Sequence, residues 1–537
     1  MKKGAGIALG LICLTFLSAI IVSAQLPEII DACGTITKQG LYQLNTNLEA
    51  EASCLIVESD GVTIDCNYHT ITYAIKSSGS AISTDNTYGL RVMNCNIEQS
   101  ASAQADSPAI LLTNAGKHAI EGNTIITRGD KSPALMMTGL LETIVADNTF
   151  ETEGQASPAL ASQSTYLNEF VSNTFKTYGP QSPAVQTSEE TEVRFVGNVI
   201  YTKGESSHAF LAFKLGNASL DSNEITTEGE GTEGFRGERM RGDISFEANL
   251  LKSSGKGLHV TSEGNEESEF SLTLHGNSFL TEDKELTIEP GKNSLNLVDQ
   301  AIGSYYISST NLTIFTSNKT DIKFLNPIYA EGDNFMDDIK IDNNYAFVNS
   351  QGQQGFNVPA EITFYNLPLF TNPIIMKDNA LCGAGCQALT LLTENPAVIN
   401  VDSWSSYSIG EGILNIIIAP EGDDEEGGCI TDWTCTSWGV CENNQQTRIC
   451  SKIKASCVST SQVKPGEIQE CVSEIEPLSN SLPATSESSI ISRITGAVTG
   501  VNERTGGFFG IGSFIVALVA AYGAVALHLS RKKARLG

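Results

Sequence analysis

The chain has 537 residues, with 62 acidic side chains against 33 basic ones and a formal net charge of -29. An excess of that size repels nucleic acid and anionic lipid surfaces. It leaves cations, neutral glycans and basic partners as the classes open to the folded protein.

At the start of the chain, Lys2 and Lys3 precede an apolar stretch from Ile7 to Val22, and Val22-Ser23-Ala24 stands before Gln25. This pattern predicts a secretory signal peptide over 1–24, cleaved after Ala24. Cys13 would leave with it, so the remaining cysteines are even in number and fall in local groups. Even, grouped cysteines predict disulfides and an oxidising compartment.

The organising feature follows. Ser-Pro-Ala or a near relative recurs at Ser107, Ser132, Ser157, Ser182 and Ser207, a period of 25 residues without slippage. Asn123, Asn148, Asn173, Asn198 and Asn223 keep the same period, and Asn249 and Asn277 continue it with small insertions. A fixed period of this size marks a solenoid, whose repeats bury their apolar faces only against their neighbours. Aligning the copies yields three apolar ladders: Ile110, Leu135, Leu160, Val185 and Phe210; Ile120, Val145, Phe170, Phe195 and Leu220; Ile125, Phe150, Phe175, Ile200 and Ile225. The apolar runs are short, broken by Gly, Asn, Ser or Pro, and rich in β-branched and aromatic residues, which predicts strands rather than helices.

Three short strands per coil, stacked at about 4.8 Å per coil, make an all-β, right-handed parallel β-helix over 25–290 with an N-terminal cap. In that geometry the Asn ladder is expected at a sharp corner, in left-handed backbone angles, with each amide bonded to the next. The Gly ladder at Gly129, Gly154, Gly179, Gly204 and Gly229 is expected to be a turn needing positive φ. Cys66 and Cys95 take comparable places in successive coils, within disulfide reach, and Cys33 with Cys54 would then close the cap.

Gly40-Leu41-Tyr42-Gln43-Leu44, Cys54-Leu55-Ile56, Val62-Thr63-Ile64-Asp65-Cys66-Asn67 and His69-Thr70-Ile71 read as a capping strand and first coil. With these, the region from Cys33 to about Phe279 resembles the right-handed parallel β-helix family of pectate lyase-like proteins. The resemblance implies the fold, and that fold serves lyases, hydrolases, adhesins and scaffolds alike. A copper role, implied by one branch of the family, needs clustered Cys, Met or His ligands. Six His and seven Met, scattered, do not supply them, and no cofactor is expected.

After about Gly291 the period disappears. Alternating segments such as Leu312 to Phe315, Asp321 to Leu325 and Ala360 to Leu367 predict a β-sandwich-like domain over 291–420, with a small loop closed by Cys382 and Cys386. The stretch from Ile322 to Pro327 and on through Trp404 to Tyr407 is similar to a module of archaeal surface proteins, which implies an archaeal cell-surface protein. The acidic linker at 421–428 carries Asp423, Asp424, Glu425 and Glu426; Ca²⁺ is the cation such a run would hold, and a solvated hinge is the simpler reading.

Cys429, Cys435, Cys441, Cys450, Cys457 and Cys471 define a disulfide-rich module over 429–472. Together with Trp433, Trp438 and Arg448 it resembles a thrombospondin type 1 repeat, which implies an Arg stacked between Trp rings. Trp433 and Trp438 are five apart, so glycan-binding properties tied to the tight Trp-x-x-Trp spacing are not carried over. A Ser/Thr/Pro-rich stalk over 473–507 leads to Phe508–Leu529, which has no charged residue and is long enough to cross a bilayer as a transmembrane helix. Arg531, Lys532, Lys533 and Arg535 follow, so the tail at 530–537 is expected to be cytoplasmic and everything before the helix extracellular.

Polysaccharide cleavage on a β-helix needs acid and base carboxylates, or Ca²⁺ with a nearby cationic base. The exposed column at Arg128, Glu153, Tyr178, Lys203 and Glu228 mixes signs and types instead. The best candidate patch is the corner where Glu205 and Glu230 stack, beside Lys203, His208, Glu228 and Glu233, with Arg236, Arg239 and Arg241 following. Two stacked carboxylates can hold a cation or share a proton, and they are equally the ordinary solvated corner of an acidic protein. Asn217, Asn311 and Asn318 head glycosylation sequons.

These features predict a membrane-anchored cell-surface protein that binds glycans or envelope partners without catalysis and does not bind nucleic acid. A polysaccharide lyase or hydrolase on the exposed β-helix face and an architectural envelope component are the alternatives.

Overall fold

The computed structural model describes residues 26–261 and 269–412, together with the backbone of four short strands between 433 and 470. The first part is a parallel β-solenoid of about ten turns with almost no helix. One coil shows the plan: Leu160–Gln163 lies in the first sheet, Glu169–Val171 in the second and Thr174–Thr177 in the third. Each strand pairs in parallel with its counterpart 25 residues on, Leu160 opposite Val185, Phe170 opposite Phe195 and Phe175 opposite Ile200.

All three predicted apolar ladders are fully buried. Within them the phenylalanines stack: Phe150 on Phe175 at 5.2 Å and Phe170 on Phe195 at 4.5 Å, both nearly parallel. Edge-on contacts join one ladder to another, Phe195 to Phe210 and Phe235 to Phe246. Such pairs add about 1 kcal/mol each beyond the apolar area they bury.

The Asn ladder bonds as predicted, but it is not the left-handed residue. Asn148 Nδ2 donates to Asn173 Oδ1 at 2.9 Å and Asn173 Nδ2 to Asn198 Oδ1 at 3.1 Å; each backbone N–H donates to the same oxygen at about 3 Å. The series ends on Gln300 Oε1, which accepts from Asn277 Nδ2 at 2.9 Å. Positive φ belongs instead to the residue before each Asn, as at Asp147, Ser172 and Ser222. That residue turns the corner, and the Asn after it points inward.

The Gly ladder also differs from expectation. Gly129, Gly154, Gly179, Gly204 and Gly229 are not among the positive-φ residues. A Cβ on Gly179 would lie 1.9 Å from the Gly154 carbonyl oxygen, and one on Gly204 would lie 1.8 Å from that of Gly179. Glycine is required because successive backbones touch there, not because the chain needs left-handed angles. Beside it, Ser132, Ser157 and Ser182 form a second polar ladder, each N–H donating to the next Oγ at about 3 Å.

A carboxyl interrupts the interior of the regular coils. Glu190 is 1% exposed and accepts from Thr165 Oγ1 at 2.7 Å and from Ser162 Oγ. Burial pushes its pKa up to about 7, against the opposing pull of those two hydroxyls.

Cys33 is bonded to Cys54, Cys66 to Cys95 and Cys382 to Cys386, with Cα atoms 4.5, 4.7 and 6.2 Å apart. The first pair sits at the cap, and the second joins successive coils.

Loss of the 25-residue period near residue 291 does not coincide with loss of parallel pairing. Asn293–Val298 still lies parallel on Phe270–His275, and Asn311–Phe315 on Asn293–Val298. Antiparallel strands then extend the same two sheets: Thr320–Phe324 on Asn311–Phe315 and Ile328–Gly332 on Tyr305–Ser309. A five-stranded antiparallel sheet follows, built from Ile339–Asp342, Tyr345–Val348, Pro373–Lys377, Ala380–Leu381 and Ser406–Glu411. Trp404 is buried between Phe324 and Tyr407, with ring centroids 5.5 and 5.8 Å away.

In a second unit, Trp433–Cys435 pairs antiparallel with Cys450–Lys452, and Gln445–Thr447 with Ile468–Glu470. The rest of the predicted Trp-Arg module, including Trp438, Arg448, Cys429, Cys441, Cys457 and Cys471, lies outside the described residues. So do the expected signal peptide, acidic linker and stalk, and Phe508–Leu529. Among the described residues no helix is long and apolar enough to cross a membrane.

Candidate functional site

The predicted patch separates into two places, because the chain turns between them. Lys203 and Glu228 directly follow the third-sheet strands Val199–Thr202 and Glu224–Thr227, and they face each other in solvent at 3.9 Å. Glu205 and Glu230 are exposed on the corner itself. His208 and Glu233 lie past that corner, where the chain enters the first sheet, and both are largely buried.

Around Glu233 the structure assembles a row that the sequence reading did not foresee. His259 Nδ1 lies 2.7 Å from Glu233 Oε1, and His259 Nε2 lies 2.9 Å from Glu289 Oε1. Arg236 Nη1 stands 3.7 Å from Glu233 Oε2, and its Nε donates to Glu238 Oε1 at 2.7 Å. Burial alone would raise the Glu233 pKa; the His259 hydrogen bond and the charges of His259 and Arg236 outweigh it and hold the carboxyl below its ordinary value. His208 is different. Its Nδ1 accepts from the Glu233 N–H at 3.2 Å, and burial pushes the imidazole pKa down, so the ring sits there as a neutral acceptor.

His259 escaped the sequence reading for a definite reason. It pairs in register with Arg236, 23 residues earlier rather than 25, because this coil is shortened. Counting by the regular period from Glu233 lands on Leu258, which points inward.

The mixed column is a charge zipper along one edge of the third sheet, each member directly after its strand. Arg128 stands 3.9 Å from both Glu98 and Glu153, and Lys203 closes the series on Glu228. Between these charges sits Tyr178, 41% exposed, with its ring 6.1 Å from that of Tyr201 in an edge-on contact. Tyr201 lies in the adjacent column, flanked in register by Lys176 and Thr226. Burial and the hydrogen bond to Glu228 push its hydroxyl up to about 12, so it stays a neutral donor. Burial and the charges of Glu151, Glu153 and Glu228 likewise raise Tyr178. Two aromatic faces and two hydroxyls, set among ammonium and carboxylate groups on a flat sheet, are suited to a polyol: CH faces stack on rings and hydroxyls find both donors and acceptors.

The sequons are exposed at their asparagines. Asn217 Oδ1 accepts from the Asp243 N–H at 3.0 Å, and Asn311 Nδ2 donates to Ser294 Oγ at 3.3 Å. The Thr320 hydroxyl of the third sequon is buried and donates to the Asp342 carbonyl at 2.8 Å.

No protein-family model and no curated protein matches the sequence. Three solved structures resemble the fold. The A-module of the mannuronan C-5 epimerase AlgE4 of Azotobacter vinelandii is 8% identical, covers 48% of this chain and 91% of its own, and has a TM-score of 0.30. The Gp54 tailspike of Acinetobacter baumannii bacteriophage AP22, solved with a capsular saccharide, is 10% identical over 70% of each chain, with a TM-score of 0.27. A chain of the Vag8–C1 inhibitor complex is 12% identical over 53% of this chain and 90% of its own, with a TM-score of 0.24. At these values the likeness lies in the coiled course of the strands alone, and any function must be argued from the residues of this chain.

Proposed function

We propose that this chain is a membrane-anchored cell-surface protein whose solenoid binds glycans without cleaving them. The observation that carries the reading is the Tyr178–Tyr201 pair, set in a row of alternating charge on a flat, rigid face. Strand spacing of about 4.8 Å gives that face a repeat close to the rise of a sugar unit in an extended polysaccharide. Supporting the placement outside the cell are the leader at 1–24, the uncharged run at Phe508–Leu529 with its basic stop, and disulfides at Cys33–Cys54, Cys66–Cys95 and Cys382–Cys386.

The test is a glycan-array screen of residues 25–505, with and without Ca²⁺, and product analysis on each hit. Intact bound glycan, lost in the Tyr178→Ala/Tyr201→Ala variant, supports the reading. Unchanged binding by that variant would sink it.

A second reading, a glycan-modifying enzyme, is favoured by one arrangement: the carboxylate–imidazole–carboxylate row of Glu233, His259 and Glu289 beside Arg236. A histidine between two carboxylates can move a proton, and an adjacent guanidinium can steady negative charge. Cleaved or epimerised glycan in the product analysis, abolished in the His259→Gln variant, would replace the first reading with this one.

A further inference from the structure

Glu189, Lys214 and Arg239 occupy the same place in three successive coils, directly after the first-sheet strands Val185–Ser188, Phe210–Phe213 and Phe235–Glu238. All three have positive φ, at 57°, 53° and 55°, so one sharp corner carries a column of Glu, Lys and Arg. Lys214 Nζ donates to Glu189 Oε1 at 3.1 Å. The Lys214 ammonium and the Arg239 guanidinium each lie 5.4 Å from the Phe213 ring centre, which braces both cations. Arg239 Nε is buried with no hydrogen-bond partner.

Two residues further along, the next column reads Thr191, Gly216 and Arg241. Gly216 leaves a gap in it. The nearest atoms to a Cβ there would be Glu190 O and Thr191 Oγ1, both 3.6 Å away, so space stands where a side chain would fit. The result is a cleft of about 470 Å³ lined by Glu189, Thr191, Lys214, Asn217 and Arg241 over the backbone of Gly216 and Gly242. In a chain with nearly two acidic residues for each basic one, this cleft reverses the sign: its lining carries two cations, Lys214 and Arg241, and one carboxylate, Glu189.

We propose that this cleft binds an anionic group, a carboxylate or a sulfate ester, carried on a sugar unit of the bound glycan. The proposal rests on the glycan-binding reading above and gives it a charge class and a second contact, on a different corner from the tyrosine face. Guanidinium and ammonium groups recognise both anions by charge-assisted hydrogen bonds. The Thr191 hydroxyl and the Asn217 amide offer partners for sugar hydroxyls, and the volume falls in the range of small-ligand sites, about 300–1,000 Å³.

Isothermal titration of residues 25–505, produced in a host that leaves Asn217 unmodified, tests it with neutral, carboxylated and sulfated oligosaccharides of equal length. The expected result is tighter binding of an anionic series, weakened at least tenfold in the Lys214→Gln/Arg241→Gln variant and by added salt, with neutral binding unchanged. Preference for one anion over the other identifies the group. Should the double variant fail to fold, as judged by its thermal melt, Lys214→Gln alone serves. Anionic glycans that bind the variant and the natural chain equally overturn the proposal. Neutral glycans bound through Tyr178 and Tyr201 with no anionic preference also overturn it while leaving the wider reading intact; silence on all glycans removes both.

Discussion

The coils between Ser107 and Thr232 and those from Glu233 onward are built from the same three sheets but obey different rules. In the first region each coil repeats the last, so an inward-facing side chain meets its own kind or one like it at about 4.8 Å. Only self-complementary groups tolerate that: Asn amides, Ser hydroxyls and Phe rings donate to, accept from or stack on copies of themselves, whereas stacked carboxylates repel. In the second region the coils vary in length and the copies diverge. There Glu233, His259, Glu289 and Arg236 meet as unlike groups. Regular repetition builds a rigid rod, and a site that needs acid, base and cation together arises where repetition breaks.

The sharpest way to test that contrast is to add one carbon in each region. Gly179→Ala puts a Cβ into the Gly154 carbonyl, and it should cost about 3 kcal/mol or more, seen as a large fall in Tm or loss of soluble protein. Gly383→Ala, in the later part, meets nothing within 4 Å and should change stability by less than about 0.5 kcal/mol. Equal effects would show that the tight stacking of the regular coils is not what demands glycine.

Next in size is Glu190, the one acid inside the regular coils. Its folded pKa of about 7 lies above the ordinary glutamate value, so the folded state favours the protonated form. Its contribution is fully present below about pH 4.5 and is lost as pH rises through 7, a swing of about 3 kcal/mol. Glu190→Gln should be more stable than the natural chain at pH 8 and flatten that part of the stability–pH curve. A denaturant series at pH 5 and pH 8 reads both.

In the later coils, His259→Ala leaves the Glu233 and Glu289 carboxylates without their shared partner. A loss of about 2 kcal/mol at pH 7 is expected. Glu233 has the opposite sign to Glu190: its folded pKa is held down, so its stabilisation is present above the ordinary glutamate value and fades as pH falls through the folded one. Acid unfolding that is identical in the natural chain and His259→Ala would argue against that pairing.

Much of the fold was legible because a solenoid writes its tertiary contacts into its period. Residues 25 apart become neighbours, so Phe170 on Phe195 and Asn148 on Asn173 could be read directly as columns. The candidate site was legible only in part. His208 and Glu233 were found because they sit in register, and His259 was missed because the coil between them is shorter. Tyr178 was noticed as a member of a mixed column, but its contact with Tyr201 crosses between columns, which no count along the chain displays.

The sequence alone determined the coil length, the three inward ladders and the bonding of successive Asn side chains, since each follows from which residues recur at a fixed spacing. Tertiary structure decided what depends on distances between backbones and on departures from the period. It placed positive φ on the residue before each Asn, made the Gly ladder a matter of backbone contact, and carried parallel pairing through Phe315 after the repeat had faded. Pairing needs only backbone groups and a buried side chain in register, so it survives the loss of the sequence pattern that first revealed it.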